Sequence, residues 1–126
     1  MLLLDTSALI YWTFVPSSLT ERASAAIAAA EVVLVNSISL WEVALKVKRG
    51  KLELPLTPAA FAAKLEITHR VRIEPVTAAI WLASVELNWE HKDPADRVIV
   101  ATASLLGCPL VTSDLTIHNF YLATIW

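Results

Sequence analysis

Cysteine, glycine and charge are what this sequence has little of. The single cysteine, Cys108, has no partner within the chain, so no internal disulfide staples the fold. A lone thiol in the apolar stretch LLGCPLV fits a reducing cytoplasm. The two glycines, Gly50 and Gly107, do not supply a glycine-rich phosphate loop. Charged residues make up 17% of the chain against 56% hydrophobic, which excludes a disordered, self-repelling polymer. Long apolar runs are missing too: the longest uncharged stretch, Val98 to Ser113, carries Gly107 and Pro109 and falls short of the roughly 20 residues a membrane span needs. The start, MLLLD, has no cationic lead and is not a secretion signal. A cytoplasmic protein without a membrane is expected. The net charge of −2 and pI of 5.9 argue against gripping nucleic acid through a broad excess of positive charge.

What is present suits a single packed domain over 1–126, able to bury roughly two thirds of its unfolded surface. The mean hydropathy of +0.59 is high for this size, so another subunit or partner is expected to cover some apolar surface. Short apolar runs alternate with helix-like segments. Strands are expected at Leu2 to Leu4, Val32 to Val35, Arg72 to Val76 and Pro109 to Thr112. Helices are expected over Ser7 to Phe14, Thr20 to Ala30, Ser37 to Lys48 (Ser37 as N-cap, Gly50 ending it), Ala59 to Ile67 after Thr57-Pro58, and Thr77 to Leu87. After a polar connection from Asn88 to Lys92, Asp93-Pro94-Ala95-Asp96 opens a further helix that Gly107 closes. Strands joined by crossover helices imply an α/β fold, three layers with a mostly parallel central sheet.

The four aspartates, Asp5, Asp93, Asp96 and Asp114, all sit beside expected element ends. Open parallel sheets bind ligands beyond the C-terminal ends of their strands. Asp5 ends the first strand, Asp114 follows the last, and Asp96 lies in the first turn of the helix between, so the three can converge on one rim. Glu42, about one turn into the helix after the second strand, can reach the same space. Clustered carboxylates raise one another's pKa values unless a cation neutralises them. Oxygen ligands suit Mg²⁺ or Mn²⁺, whereas Zn²⁺ would call for closely spaced His or Cys, and His69, His91 and His118 show no such spacing. The chemistry this favours is metal-assisted phosphodiester hydrolysis.

Each acid also has a structural alternative. Asp93 reads first as a helix cap, because Pro94 follows it; Asp96 fits a capping-box acid equally well. Glu42 and Lys46 have the favourable i to i+4 order for a surface ion pair, and Asp114 suits a turn. Asp5 is harder to dismiss, since it directly follows a buried run. Capping does not explain why acids mark two strand ends and the intervening helix start together. Thr6, Ser7 and Thr112 offer hydroxyls at the same rim, for the site or for turns. Lys46, Lys48, Arg49 and Lys51 are either a guide for a phosphate backbone or cations complementing a helix end. Removing the four proposed site carboxylates from the net charge of −2 leaves the remainder at +2, mildly basic. Trp12, Trp41, Trp81, Trp89 and Trp126 are assigned to core or interface, since no base-stacking pattern is visible.

The segments LLLDTSALIYW, SISLWEVALKVKRGKLELP, DPADRVIVATA and LVTSD resemble, in order and spacing, the four acid-bearing segments of PIN-domain ribonucleases, in particular the VapC-like toxins of type II toxin–antitoxin pairs. The resemblance covers nearly the whole chain. It implies a PIN-like fold and Asp5, Glu42, Asp96 and Asp114 as an acidic quartet around Mg²⁺ or Mn²⁺, with Asp93 auxiliary. It further implies a homodimer that cleaves RNA, is silenced by a cognate antitoxin, and meets operator DNA only through that antitoxin. Two other readings stay in view. One is an inactive PIN-like protein-binding module. The other, an Asp-based phosphotransfer domain, is disfavoured because Asp5-Thr6-Ser7 lacks a second acid two positions on.

Overall fold

Leu2, Leu3 and Leu4 form the central strand β1 (Leu2–Leu4), and their alternation decides the layering. Successive strand side chains point to opposite faces. Leu2 and Leu4 join a buried cluster with Ala8, Leu9, Ala23, Ile27, Val43, Phe61 and Leu65, while Leu3 joins another with Ile80, Val98, Ile99, Ala103 and Ile117. Two cores back to back on one sheet make a three-layer α/β/α architecture. The computed structural model describes residues 1–126.

The remaining strands are β2 (Val33–Asn36), β3 (Val71–Glu74), β4 (Leu110–Val111) and β5 (Thr124–Ile125). All four pairings are parallel, in the order β3-β2-β1-β4-β5, with Leu3 opposite Leu34 on one side and Leu110 on the other. The first three strands build outward from β1 in one direction and the last two in the other. The resulting switch point opens a crevice beyond the C-terminal ends of β1 and β4.

Seven α-helices accompany the sheet: α1 (Thr6–Phe14), α2 (Glu21–Ala29), α3 (Ser37–Lys48), α4 (Pro58–Ile67), α5 (Ala78–Glu86), α6 (Pro94–Leu106) and α7 (Leu115–Phe120). Thr20, Thr57, Thr77 and Asp93 cap α2, α4, α5 and α6 through their side chains, and proline stands in the first turn of α4 and α6. Both glycines follow helix ends in the left-handed region, with φ of +70° at Gly50 and +62° at Gly107. That conformation lets Lys51 N–H reach back to Lys46 O at 2.9 Å and Cys108 N–H to Ala103 O at 3.1 Å.

Several expectations are corrected. The cap of α3 is Asn36, whose Oδ1 accepts from Ile38 N–H at 2.9 Å; the Ser37 hydroxyl accepts instead from Val76 N–H at 3.1 Å, tying α3 to the end of β3. Helix α1 begins at Thr6, with Asp5 as its cap. The expected parallel sheet is present, with every pairing parallel, while α7 and β5 add ordered elements past Asp114, where the sequence has no local pattern to announce them. The two residues of β5 pair with β4, and Ile125 packs on the margin of one core. No tryptophan is fully buried. Trp12 and Trp126 pack on the margin of one core and Trp89 on the other, while Trp41 and Trp81 are about half exposed. No helix is long and apolar enough to cross a membrane.

Candidate active site

Asp5 leaves the end of β1 and turns inward, where its Oδ1 accepts from Ala8 N–H at 2.8 Å. Only 6% of the residue is exposed. Burial pushes its carboxyl up to about 6 from an ordinary 3.8; hydrogen bonds from Thr112 and the Ala8 N–H oppose the rise, and the Asp96 and Asp114 charges add to it. Glu42, on the inward face of α3, is raised in the same direction by burial. The Thr6 hydroxyl, which donates to its Oε1 and is bonded to Ser39 Oγ at 3.0 Å, and the Lys46 charge relieve part of that. Asp96, in the first turn of α6, is also raised by burial, partly offset by His91 and reinforced by Asp93 and Asp114. Asp114 caps α7 by accepting from Thr116 N–H at 2.8 Å.

These groups line one cleft of about 350 Å³, formed by Asp5, Thr6, Ser7, Glu42, Lys46, Asp93, Asp96, Ser113 and Asp114 without a hydrophobic side chain. The fold therefore brings together the expected quartet, Asp93, Thr6, Ser7 and Lys46. Thr112 lies beneath the rim, buried, accepting from Asp114 N–H at 3.0 Å and bonding Asp5. A neighbouring cleft of about 260 Å³ shares Glu42, Lys46 and Asp93 and adds Trp41, Arg49 and Lys51, so cations border the acids directly.

Two local alternatives do not form. The side-chain ion pair is Arg72–Glu74, and His91 is bonded to Asp96; Glu42 and Lys46 do not close a pair, although the lysine charge is felt. In α6 the Asp93 Oδ1 accepts from Asp96 N–H at 3.0 Å, but the Asp96 carboxylate bonds His91 Nε2 at 2.7 Å rather than completing a capping box.

Sequence reasoning missed His91, Arg97 and Asn36. His91 lies in a polar connector with no periodicity to mark it. Asn36 is fully buried and donates from Nδ2 to Thr102 Oγ1 at 2.7 Å, fixing the start of α3 against α6 and so Glu42 relative to Asp96. Its only signal is a polar residue closing the apolar run Val32 to Val35.

The candidate ligand atoms lining the cleft are all oxygen, and three of its carboxyls are held above their ordinary pKa, a cost that a hard divalent ion would remove. No three acidic, histidine or cysteine side chains converge as a closed ligand cluster. An open, polar cleft of this kind fits an ion that retains several of its waters, as Mg²⁺ does.

The PIN-domain family model matches residues 2–121. Ribonuclease VapC22 of Mycobacterium tuberculosis is 33% identical over 113 residues, spanning 89% of this chain and 85% of that protein. A toxin–antitoxin complex from Klebsiella pneumoniae contains a chain that superposes with a TM-score of 0.70 at 22% identity, covering 100% of this chain and 97% of that one. A chain of FitAcB from Neisseria gonorrhoeae superposes with a TM-score of 0.63 at 20% identity, covering 98% and 92%. The structural likenesses concern the fold, and they agree with the sequence match on what that fold is. This chain is a member of the PIN-domain family.

Proposed function

We propose that residues 1–126 form a single PIN domain acting as a Mg²⁺- or Mn²⁺-dependent endoribonuclease, the toxin of a toxin–antitoxin pair. The observation that carries this reading is the wholly polar cleft at the switch point, lined by Asp5, Glu42, Asp96 and Asp114, of which the first three are held above their ordinary pKa by burial. The similarity to Ribonuclease VapC22 supports RNA as the substrate, and the toxin–antitoxin neighbour supports an antitoxin partner.

Asp5, Asp96 and Asp114 would hold the ion from β1, α6 and the end of β4, with Glu42 facing them from α3. Held there, such an ion would supply an attacking water of lowered pKa and charge to stabilise the leaving oxygen. The chain's own residues position the substrate. Lys46, Arg49 and Lys51 offer cations to successive phosphates beside the acids, and Thr6 holds Glu42 in place. An apolar cleft of about 450 Å³ between the end of α1 and α4, lined by Trp12, Phe14, Leu56, Phe61 and Leu65, supports docking of an antitoxin segment. Exposed Trp81, Leu82 and Val85 on α5, beside Trp41 on α3, support a homodimer. With a net charge of −2 on the chain, contact with operator DNA is assigned to the antitoxin.

The test is incubation of total RNA with purified protein in Mg²⁺, in EDTA, and with the Asp96→Asn variant, followed by mapping of the cut ends. Defined cuts in Mg²⁺ alone are expected. Equal cutting by folded Asp96→Asn would sink the reading.

A further inference from the structure

The loop between α5 and α6 is held by one side chain. Arg97, on the second turn of α6, donates from Nε to Ser84 O at 2.9 Å, from one terminal nitrogen to Trp89 O at 2.6 Å and His91 O at 3.0 Å, and from the other to Leu87 O at 2.9 Å and Val85 O at 3.3 Å. The guanidinium fork spends its donors on backbone carbonyls from 84 to 91 and pairs with no carboxylate. A planar five-donor group is the one side chain able to fix so many carbonyls at once.

What the clamped loop presents is His91. Its ring lies 4.8 Å from that of Trp89, which is itself stacked on Phe120 at 4.8 Å with a 13° interplanar angle, so ring orientation is restricted as well as backbone. From that position His91 Nε2 meets Asp96 Oδ2 at 2.7 Å. An ionised carboxylate can only accept, so the ring nitrogen donates and one carboxylate oxygen is tied down while the other is left to the cleft. We infer that His91 is a positioning residue that fixes the Asp96 carboxylate for a divalent cation, and that the Arg97 clamp is what holds it there.

The inference rests on the metal-dependent reading proposed above. A carboxylate ligand oriented by an outer partner binds metal about 10- to 100-fold more tightly than one left free to rotate. Asp96 has only its own side-chain torsions and that one bond to set its direction.

Mn²⁺ titration by calorimetry, read alongside thermal unfolding, tests this without any RNA. For His91→Ala the Mn²⁺ dissociation constant should rise about 10-fold or more while the unfolding midpoint without metal stays near wild type. His91→Gln, whose amide can still donate, should recover part of that loss. Arg97→Lys keeps the charge but not the fork. At a temperature where it is native, it should speed amide exchange over 84–91, weaken Mn²⁺ binding, and add less than its full effect when combined with His91→Ala. Unchanged Mn²⁺ affinity in His91→Ala, with wild type binding and Asp96→Asn not, would overturn this inference and leave the metal-dependent reading standing. Equal loss in His91→Ala and His91→Gln would overturn the donor role, and unaltered exchange in Arg97→Lys the clamp. Absence of Mn²⁺ binding by wild type would overturn both readings.

Discussion

At Asp5 two demands compete: the side chain is buried, and in the proposed function it would carry charge to hold a cation. Its carboxyl is pushed up to about 6 in the fold against an ordinary 3.8. A group raised on folding adds stability that is complete below its unfolded pKa and lost as pH rises through the folded one. Asp5 therefore makes the metal-free protein less stable between about pH 4 and pH 6, and the loss persists above. Asp5→Asn keeps a capping oxygen and removes the charge. In urea titrations with EDTA it should be more stable than wild type at pH 8, by up to about 3 kcal/mol for a shift of roughly two units, with no advantage below pH 4. Divalent ion should restore the wild type selectively: at about 100 times its dissociation constant, Mg²⁺ should add about 2.7 kcal/mol at pH 8, and nothing to Asp5→Asn if binding is abolished. Protons compete with the ion for this carboxylate in the metal-free protein, so the apparent Mg²⁺ affinity should weaken as pH drops below about 6, read by calorimetry at several pH values.

Helix α3 joins stability to function within twelve residues. Its first turn is anchored by Asn36, whose amide both caps the helix and bonds Thr102 in α6. Asn36→Ala should cost about 2 kcal/mol, combining a lost cap with a buried hydrogen bond, measured by chemical denaturation. Because the bond spans α3 and α6, the loss should also weaken divalent-ion binding. The middle of the helix carries Glu42, and its last turn leads to Arg49 and Lys51. Arg49→Ala with Lys51→Ala should leave folding intact and flatten the dependence of RNA affinity on salt by a slope of about 1.4, the value for two phosphate contacts on a single strand. An unaltered slope, measured by binding of RNA to the Asp96→Asn background at several salt concentrations, would move the RNA path elsewhere.

Across the whole molecule, the sheet order places the acids. Strands β1 and β4 are neighbours although about 100 residues separate them, and only that adjacency brings Asp5 beside Asp114. The opposite consequence of packing everything on one short sheet is apolar surface left outside, at Trp41, Trp81, Leu82 and Val85. Leu82→Arg with Val85→Arg should yield a monomer by light scattering, with an unfolding midpoint little changed by dilution, if α5 forms the dimer contact. Wild type already monomeric at tens of micromolar would remove the homodimer from the proposed function.

Much of this was legible in one dimension. The leucine run ending in Asp5, the Asp-Pro-Ala-Asp helix start, the two glycine stops and the strand-helix alternation each carry a local physical signature: burial, capping, left-handed backbone, periodicity. From these follow the layers, the element order and the four carboxylates as candidates. The sequence could not say that Glu42 bonds Thr6 rather than Lys46, that Asn36 rather than Ser37 caps α3, or that His91 reaches Asp96. It also could not announce β5, which depends on pairing with β4 and on Ile125 packing against the core. Those choices depend on which groups lie across a cleft or along a strand, often dozens of residues apart, and burial then decides which hydrogen bonds must form. Local chemistry determined the acids of this PIN domain; tertiary packing decided their partners, because a buried polar group is satisfied by whatever the fold brings within reach.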